Sequence, residues 1–194
     1  AAPWETKLSR VIGSVSMLVS NDRLEERKHS EFLDRLLSGE INHDDSAYRQ
    51  SMEKYGLLGE KAVAVIDYKF DEKYLQTENQ AYHNDRVMRK MISLFEQYFG
   101  KINYLNQYNR QAFIISADNT EEKDIVNTIR TIYNIFIKES KTVHVRIGIG
   151  EIAQGLEGLK KSYDQSRIAR KTINKSGVMF YKELGIYQLL FYID

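Results

Sequence analysis

The stretch Ala62-Val63-Ala64-Val65-Ile66-Asp67 decides the fold. Five apolar residues in a row suit a strand buried on both faces. Downstream of it, residues 84–99 take helical spacing, with Val87, Met88, Met91, Ile92, Phe95, Tyr98 and Phe99 on one face. The segments 102–108 and 111–117 read as two strands. Asn109 and Arg110 join them in a tight hairpin, because Asn tolerates positive φ. Residues 121–139 are helical again: Ile125, Val126, Ile129, Ile132, Tyr133 and Phe136 share a face. Val143, Val145, Ile147 and Ile149 then alternate with His144, Arg146, Gly148 and Gly150, the pattern of a strand with one apolar face. A helix with Leu156, Leu159, Tyr163, Ser166, Ala169 and Ile173 in register ends at Gly177, and 178–181 makes a last short strand. The order is β-α-β-β-α-β, then α-β, whose first six elements match the split βαβ of ferredoxin-like sheets. The expected class is α/β of the α+β kind: an antiparallel-rich sheet with flanking helices.

Upstream of the strand the chain reads as a helical arm. Leu8, Val11, Ile12, Val15, Leu18 and Val19 fall on one helical face. The Ser20-Asn21-Asp22 cluster is expected to interrupt that helix, with Asp22 and Glu25 forming a capping box for the next. Phe32, Leu33, Leu36 and Leu37 are the apolar stripe of this second helix, which ends at Gly39. Asp44 or Asp45 caps a third that stops at Gly56, where glycine accepts the left-handed conformation. The stripe from Leu8 to Val19 is expected to dock outside its own domain, most simply as a dimer seam; the alternative is that it folds back on its own sheet. This gives an arm at 1–57, a domain at 58–186, and an apolar segment at 187–194 that begins a helix leading to a further domain.

The bulk numbers exclude several function classes. With 28 Lys and Arg against 27 Asp and Glu, the net charge is +1, so no general attraction to nucleic acid or acidic membrane is expected. There is no cysteine, hence no disulfide, thiolate metal site or cysteine nucleophile. No run reaches the roughly 20 apolar residues that cross a bilayer, and Ala1-Ala2-Pro3-Trp4-Glu5 lacks the pattern of a signal peptide. A cytoplasmic location is expected.

Few residues carry candidate chemistry. His29, His43, His83 and His144 show no helical metal-ligand spacing, and His43 beside Asp44 and Asp45 reads as a helix cap. Gly148 and Gly150, in a strand without a following Gly-Lys-Ser/Thr, read as allowing close backbone packing. The helix 156–175 carries Lys160, Lys161, Arg167, Arg170, Lys171 and Lys175, either a solvated face or a surface for phosphates. His144 and Arg146 share one face of their strand, either to meet an anion or as the wet face of a one-sided sheet. Asp67 is the most suggestive residue: a carboxylate ending a buried strand either holds a metal or faces solvent. No catalytic set and no cofactor are expected.

Residues 62–185 resemble the nucleotide-cyclase scaffold named for its GGDEF motif. Val65-Ile66-Asp67-Tyr68-Lys69 is similar to that family's first strand, which ends in metal-binding acids. Val145-Arg146-Ile147-Gly148-Ile149-Gly150 is similar to its later Ser-Ile-Gly-Ile-Ala strand. Residues 162–167 and 175–177, then Phe180-Tyr181, resemble its closing helix and strand. In the cyclases the hairpin carries two glycines and two acids; here Gln107-Tyr108-Asn109-Arg110-Gln111 has neither. A closer resemblance, over residues 23–191, is to the degenerate GGDEF-like domain of the PucR/CdaR group of bacterial transcription regulators. It rests on Gly155-Leu156-Glu157-Gly158-Leu159, Ser162-Tyr163 and Tyr181-Lys182-Glu183-Leu184-Gly185-Ile186-Tyr187-Gln188-Leu189-Leu190. The segments 31–39 and Tyr55-Gly56-Leu57 fit as well. The resemblance implies a non-catalytic domain of a homodimer that relays a signal, from an unidentified small-molecule effector, to a helix-turn-helix outside this chain. The rival readings are a diguanylate cyclase and direct nucleic-acid binding through the helix 156–175.

Overall fold

The computed structural model describes the backbone of residues 3–41, 46–71 and 80–185, and the side chains of 21–41, 48–71 and 81–185. The buried apolar run becomes the middle of β1 (Glu60–Phe70), in which Lys61 to Tyr68 are all buried. It is followed by α3 (Gln80–Phe99), β2 (Asn103–Gln107), β3 (Arg110–Ser116), α4 (Glu122–Glu139), β4 (Val143–Ile149), a two-residue β5 (Ala153–Gln154), α5 (Gly155–Lys171) and β6 (Gly177–Phe180). Before β1 stand α1 (Pro3–Ser38) and α2 (Ser46–Lys54). The strand order is β2-β3-β1-β4-β6, with β5 pairing to the start of β1. Among the described residues only the β4–β6 pair is parallel. The expected antiparallel-rich α/β sheet with flanking helices is therefore the observed one, and among the described residues no helix is long and apolar enough to cross a membrane.

Both faces of the sheet are covered. On one, α3 and α4 lay Met91, Phe95, Ile125, Ile129, Ile132 and Phe136 over Ala64, Ile66, Phe113, Ile115, Val145 and Ile147. On the other, Leu33, Leu36, Leu37, Met52 and Leu57 join Leu156, Leu159 and Tyr163 over Val63, Val65, Ala112 and Ile114. Each fully buried side chain of this size contributes roughly 1.5–3 kcal/mol before entropy is counted. The helical segment expected at 1–57 thus divides in function. Its described residues 21–28 are exposed, residues 29–32 meet Tyr55 and β2, and Leu33 to Leu57 builds the second core.

Three local expectations are corrected. The Ser20-Asn21-Asp22 cluster does not break α1, which is one helix of 36 residues ending before Gly39 at φ +81°. Residues of this type cost a helix only a few tenths of a kcal/mol each relative to Ala, and a continuing helix absorbs that. Glu25 is no capping partner but pairs with Lys28 at 3.1 Å and with Lys54 of α2. The hairpin turns on Tyr108 and Asn109, with Tyr108 at φ +32°, and Arg110 already belongs to β3. Finally, the second face of β4 is wet only in part: His144 and Arg146 are half-buried, and beyond them α5 covers the strand, with Gly148 and Gly150 both buried. The side chains of Leu8, Val11, Ile12, Val15, Leu18 and Val19, the cluster His43-Asp44-Asp45 and the segment 187–194 lie outside the described residues.

Candidate functional site around Asp67

The close approach of α5 to β4 sets the geometry. A Cβ at Gly148 would overlap the Ser166 carbonyl and the Arg170 backbone, and one at Gly150 would overlap the Ser162 carbonyl. The two glycines thus admit the helix, as their place in the strand implies. Ser162 clamps the contact: its hydroxyl accepts from the Val63 amide at 3.0 Å and donates to the Glu151 carbonyl at 2.7 Å. Docked so closely, α5 delivers Arg170 onto β1.

Asp67 neither ends its strand nor faces solvent, correcting both expectations; it is 8% exposed, three residues inside the end of β1. In register it lies between Arg110 on β3 and Arg146 on β4. Arg146 holds it bidentately, Nε to Oδ1 at 2.9 Å and Nη2 to Oδ2 at 2.7 Å. Nη1 of Arg170 donates to Oδ2 as well. The two guanidiniums are pushed in opposite directions. Bonding to Asp67 raises the Arg146 pKa, whereas burial first, then the charges of Arg110 and Arg146, lowers that of Arg170. Both stay charged near neutrality, as arginine does. The Nε atoms of Arg110 and Arg170 are buried without a hydrogen-bond partner. Three cationic side chains therefore crowd one carboxylate.

A divalent cation does not fit this arrangement. The Asp67 oxygens already accept three charge-assisted hydrogen bonds, and a hard cation needs several free oxygens. The hairpin contributes Tyr108, Asn109 and Arg110, none of them a carboxylate. Among the described residues, no group of three His, Asp or Glu converges as a metal site.

The other candidates are placed apart. His144 binds Asp71 through Nε2 at 2.8 Å, and Arg146 is committed to Asp67, so the two do not form one anion pocket. The helix expected at 156–175 ends at Lys171, and of its basic residues Lys160 sits 2.7 Å and Arg167 3.7 Å from Asp164, while Arg170 is turned inward. Sequence reading missed Arg170 as the partner of Asp67. The signal was present: Arg170 lies four residues beyond Ser166 on the stripe of Leu159, Tyr163 and Ser166, and a charge on a buried stripe requires a buried counter-charge. It also missed Gln111, fully buried, which accepts from the Tyr68 hydroxyl and donates to Asn106 at 2.8 Å.

With this geometry in hand, comparison with known proteins gives one family. The GGDEF-like domain matches residues 38–172. Among solved structures the chain is similar to a microbial GGDEF domain described with cyclic di-GMP, at 13% identity over 70% of this chain and 83% of that one, TM-score 0.47. It is similar to the active GGEEF domain of a diguanylate cyclase from Vibrio cholerae, at 11% identity over 70% and 90%, TM-score 0.47. It is also similar to the diguanylate cyclase SiaD of Pseudomonas aeruginosa, solved with its activator SiaC, at 13% identity over 91% and 77%, TM-score 0.46. No curated protein matches by sequence.

Proposed function

Since the chain belongs to the GGDEF-like domain family, we propose that it is a non-catalytic member: a regulatory domain of a PucR/CdaR-type transcription regulator. The observation that carries this reading is the capture of Asp67 by Arg146 and Arg170. Phosphoryl transfer depends on cations that neutralise the charge developing on the phosphates. Here the buried strand carboxylate, Asp67, is spent on two arginines. The hairpin beside it offers Arg110 in place of an acid, which would repel a metal. The same ion cluster fastens α5 to the centre of the sheet, so the position serves to hold the domain together.

In this reading the domain works as a homodimer in the cytoplasm, joined through the face of Leu8, Val11, Ile12, Val15, Leu18 and Val19. DNA is contacted by a domain outside this chain, and an effector acts by binding two arrangements of the dimer unequally. The test is direct. The chain is incubated with GTP and Mg²⁺ or Mn²⁺ and its mass is followed by light scattering. The expected result is a dimer that makes no cyclic dinucleotide above a protein-free blank. Product above the blank overturns the non-catalytic reading, and a monomer at high concentration overturns the dimer seam.

A further inference from the structure

A second region, on the opposite face of the sheet from the Asp67 cluster, has no part in that reading. Between the first half of α3, the end of α4 and the adjoining ends of β1 and β4 lies a cavity of about 250 Å³. Its floor is apolar: Phe70, Val87, Phe136 and Val143 are each at most 9% exposed. Its rim carries two cations, Arg86 and Lys90, and one carboxylate, Glu139. His83, Arg86 and Lys90 fall at helical spacing on α3, so they line one side of the opening together with Val87. Lys90 is paired with Glu139 across the cavity from the end of α4. Arg86 is exposed and makes no hydrogen bond or ion pair among the described residues. His83 packs its ring on Phe70, with centroids 6.3 Å apart.

We infer that this cavity binds a small organic anion: one carboxylate or phosphate held by Arg86, with an apolar ring or branched body seated on Phe70, Val87, Phe136 and Val143. The charge balance selects the ligand. Among the described residues Glu139 neutralises Lys90 and none pairs with Arg86, so one anionic group satisfies its guanidinium. Guanidinium matches either oxyanion in a two-pronged bond. The volume sets the size. A cavity of about 150 Å³ holds a benzene ring, so this one takes a ring together with its anionic head. A fully polar anion such as inorganic phosphate would leave the apolar floor uncovered and gains little there. The inference goes beyond the regulatory reading and stands or falls separately, because it concerns binding at residues that do not touch Asp67.

The test uses the full chain in metal-free buffer, with benzoate and phenyl phosphate as probes and benzyl alcohol and inorganic phosphate as controls. Binding is followed by saturation-transfer NMR and calorimetry. At least one aromatic anion is expected to bind once per chain, with both controls about tenfold weaker or more. The tighter of the two anions tells carboxylate from phosphate. Arg86→Gln is expected to weaken that anion by about tenfold while leaving the melting temperature unchanged, since no described residue pairs with Arg86 in the free protein. Failure of both anions to bind, equal binding of benzyl alcohol, or an Arg86→Gln variant with unaltered affinity would each overturn the inference.

Discussion

Replacing Asp67 by Asn separates the two roles that a buried strand carboxylate can play. The substitution keeps the shape and removes the charge. It leaves Arg170, whose side chain is 6% exposed, facing an amide instead of a carboxylate, with Arg110 and Arg146 still pushing against it. Breaking a buried ion pair by removing one partner costs about 3–5 kcal/mol, because the remaining charge stays buried and unpaired. The Arg146 side chain is 34% exposed, so water takes over much of its pairing, and its share is about 1 kcal/mol or less. For a chain of 194 residues, each kcal/mol moves the melting temperature by about 2–4 °C. Asp67→Asn is therefore expected to lower it by about 6–20 °C, and Arg146→Gln by only a few degrees. Thermal melts by circular dichroism, with and without Mg²⁺ or Mn²⁺, read this out. The opposite pattern would refute the reasoning: a metal that stabilises the wild type, and an Asn variant that melts as high without metal. In that case the carboxylate is free to act as a ligand, and its neutralisation relieves repulsion instead of creating it.

Two further outcomes are expected. Gly148→Ala drives a methyl group into the Ser166 carbonyl and the Arg170 backbone, neither of which is a flexible end that can swing away. Overpacking of this kind costs about 1–3 kcal/mol, read as a lowered urea midpoint; an unchanged midpoint would mean that α5 is not seated on β4 as described. His29 stacks on Tyr55 at 4.2 Å, and burial first, then the charges of Lys101 and Lys54, holds its pKa below the usual 6.5. The unfolded chain then takes up a proton near pH 6.5 that the folded chain refuses. The stability contribution is whole above that pH and is lost as pH falls through the interval down to the folded value. Melts between pH 7.5 and 5.5 should show a steeper fall for the wild type than for His29→Gln; parallel slopes would contradict it.

Much of the sheet was legible because its strands carry their burial in their letters. A five-residue apolar run can only be a strand covered on both sides or a helix segment, and the hairpin and alternation that follow select the strand. The glycines of β4 were legible for the same local reason. What the letters did not carry was distance. Asp67 and Arg170 stand 103 residues apart, and only the docking of α5 brings them together. A wholly wet face for His144 and Arg146 followed from reading β4 alone, whereas the helix that covers part of it arrives later in the chain. The break assigned at Ser20-Asn21-Asp22 came from local preference, which a helix anchored by Leu33, Leu36 and Leu37 overrides.

That uninterrupted helix makes α1 a lever. Its residues 3–32 precede Leu33, the point where it enters the core, a span of about 45 Å at the rise of an α-helix. Its fulcrum is the seat of Leu33, Leu36 and Leu37 against α5 and the sheet. A tilt of about 5° at that seat, too small to break any core contact, displaces the far end by about 4 Å over this length. Had the helix broken where its composition suggested, a joint would have absorbed the tilt. Unbroken, it converts a small adjustment in the packing beside α5 into a movement as wide as a side chain.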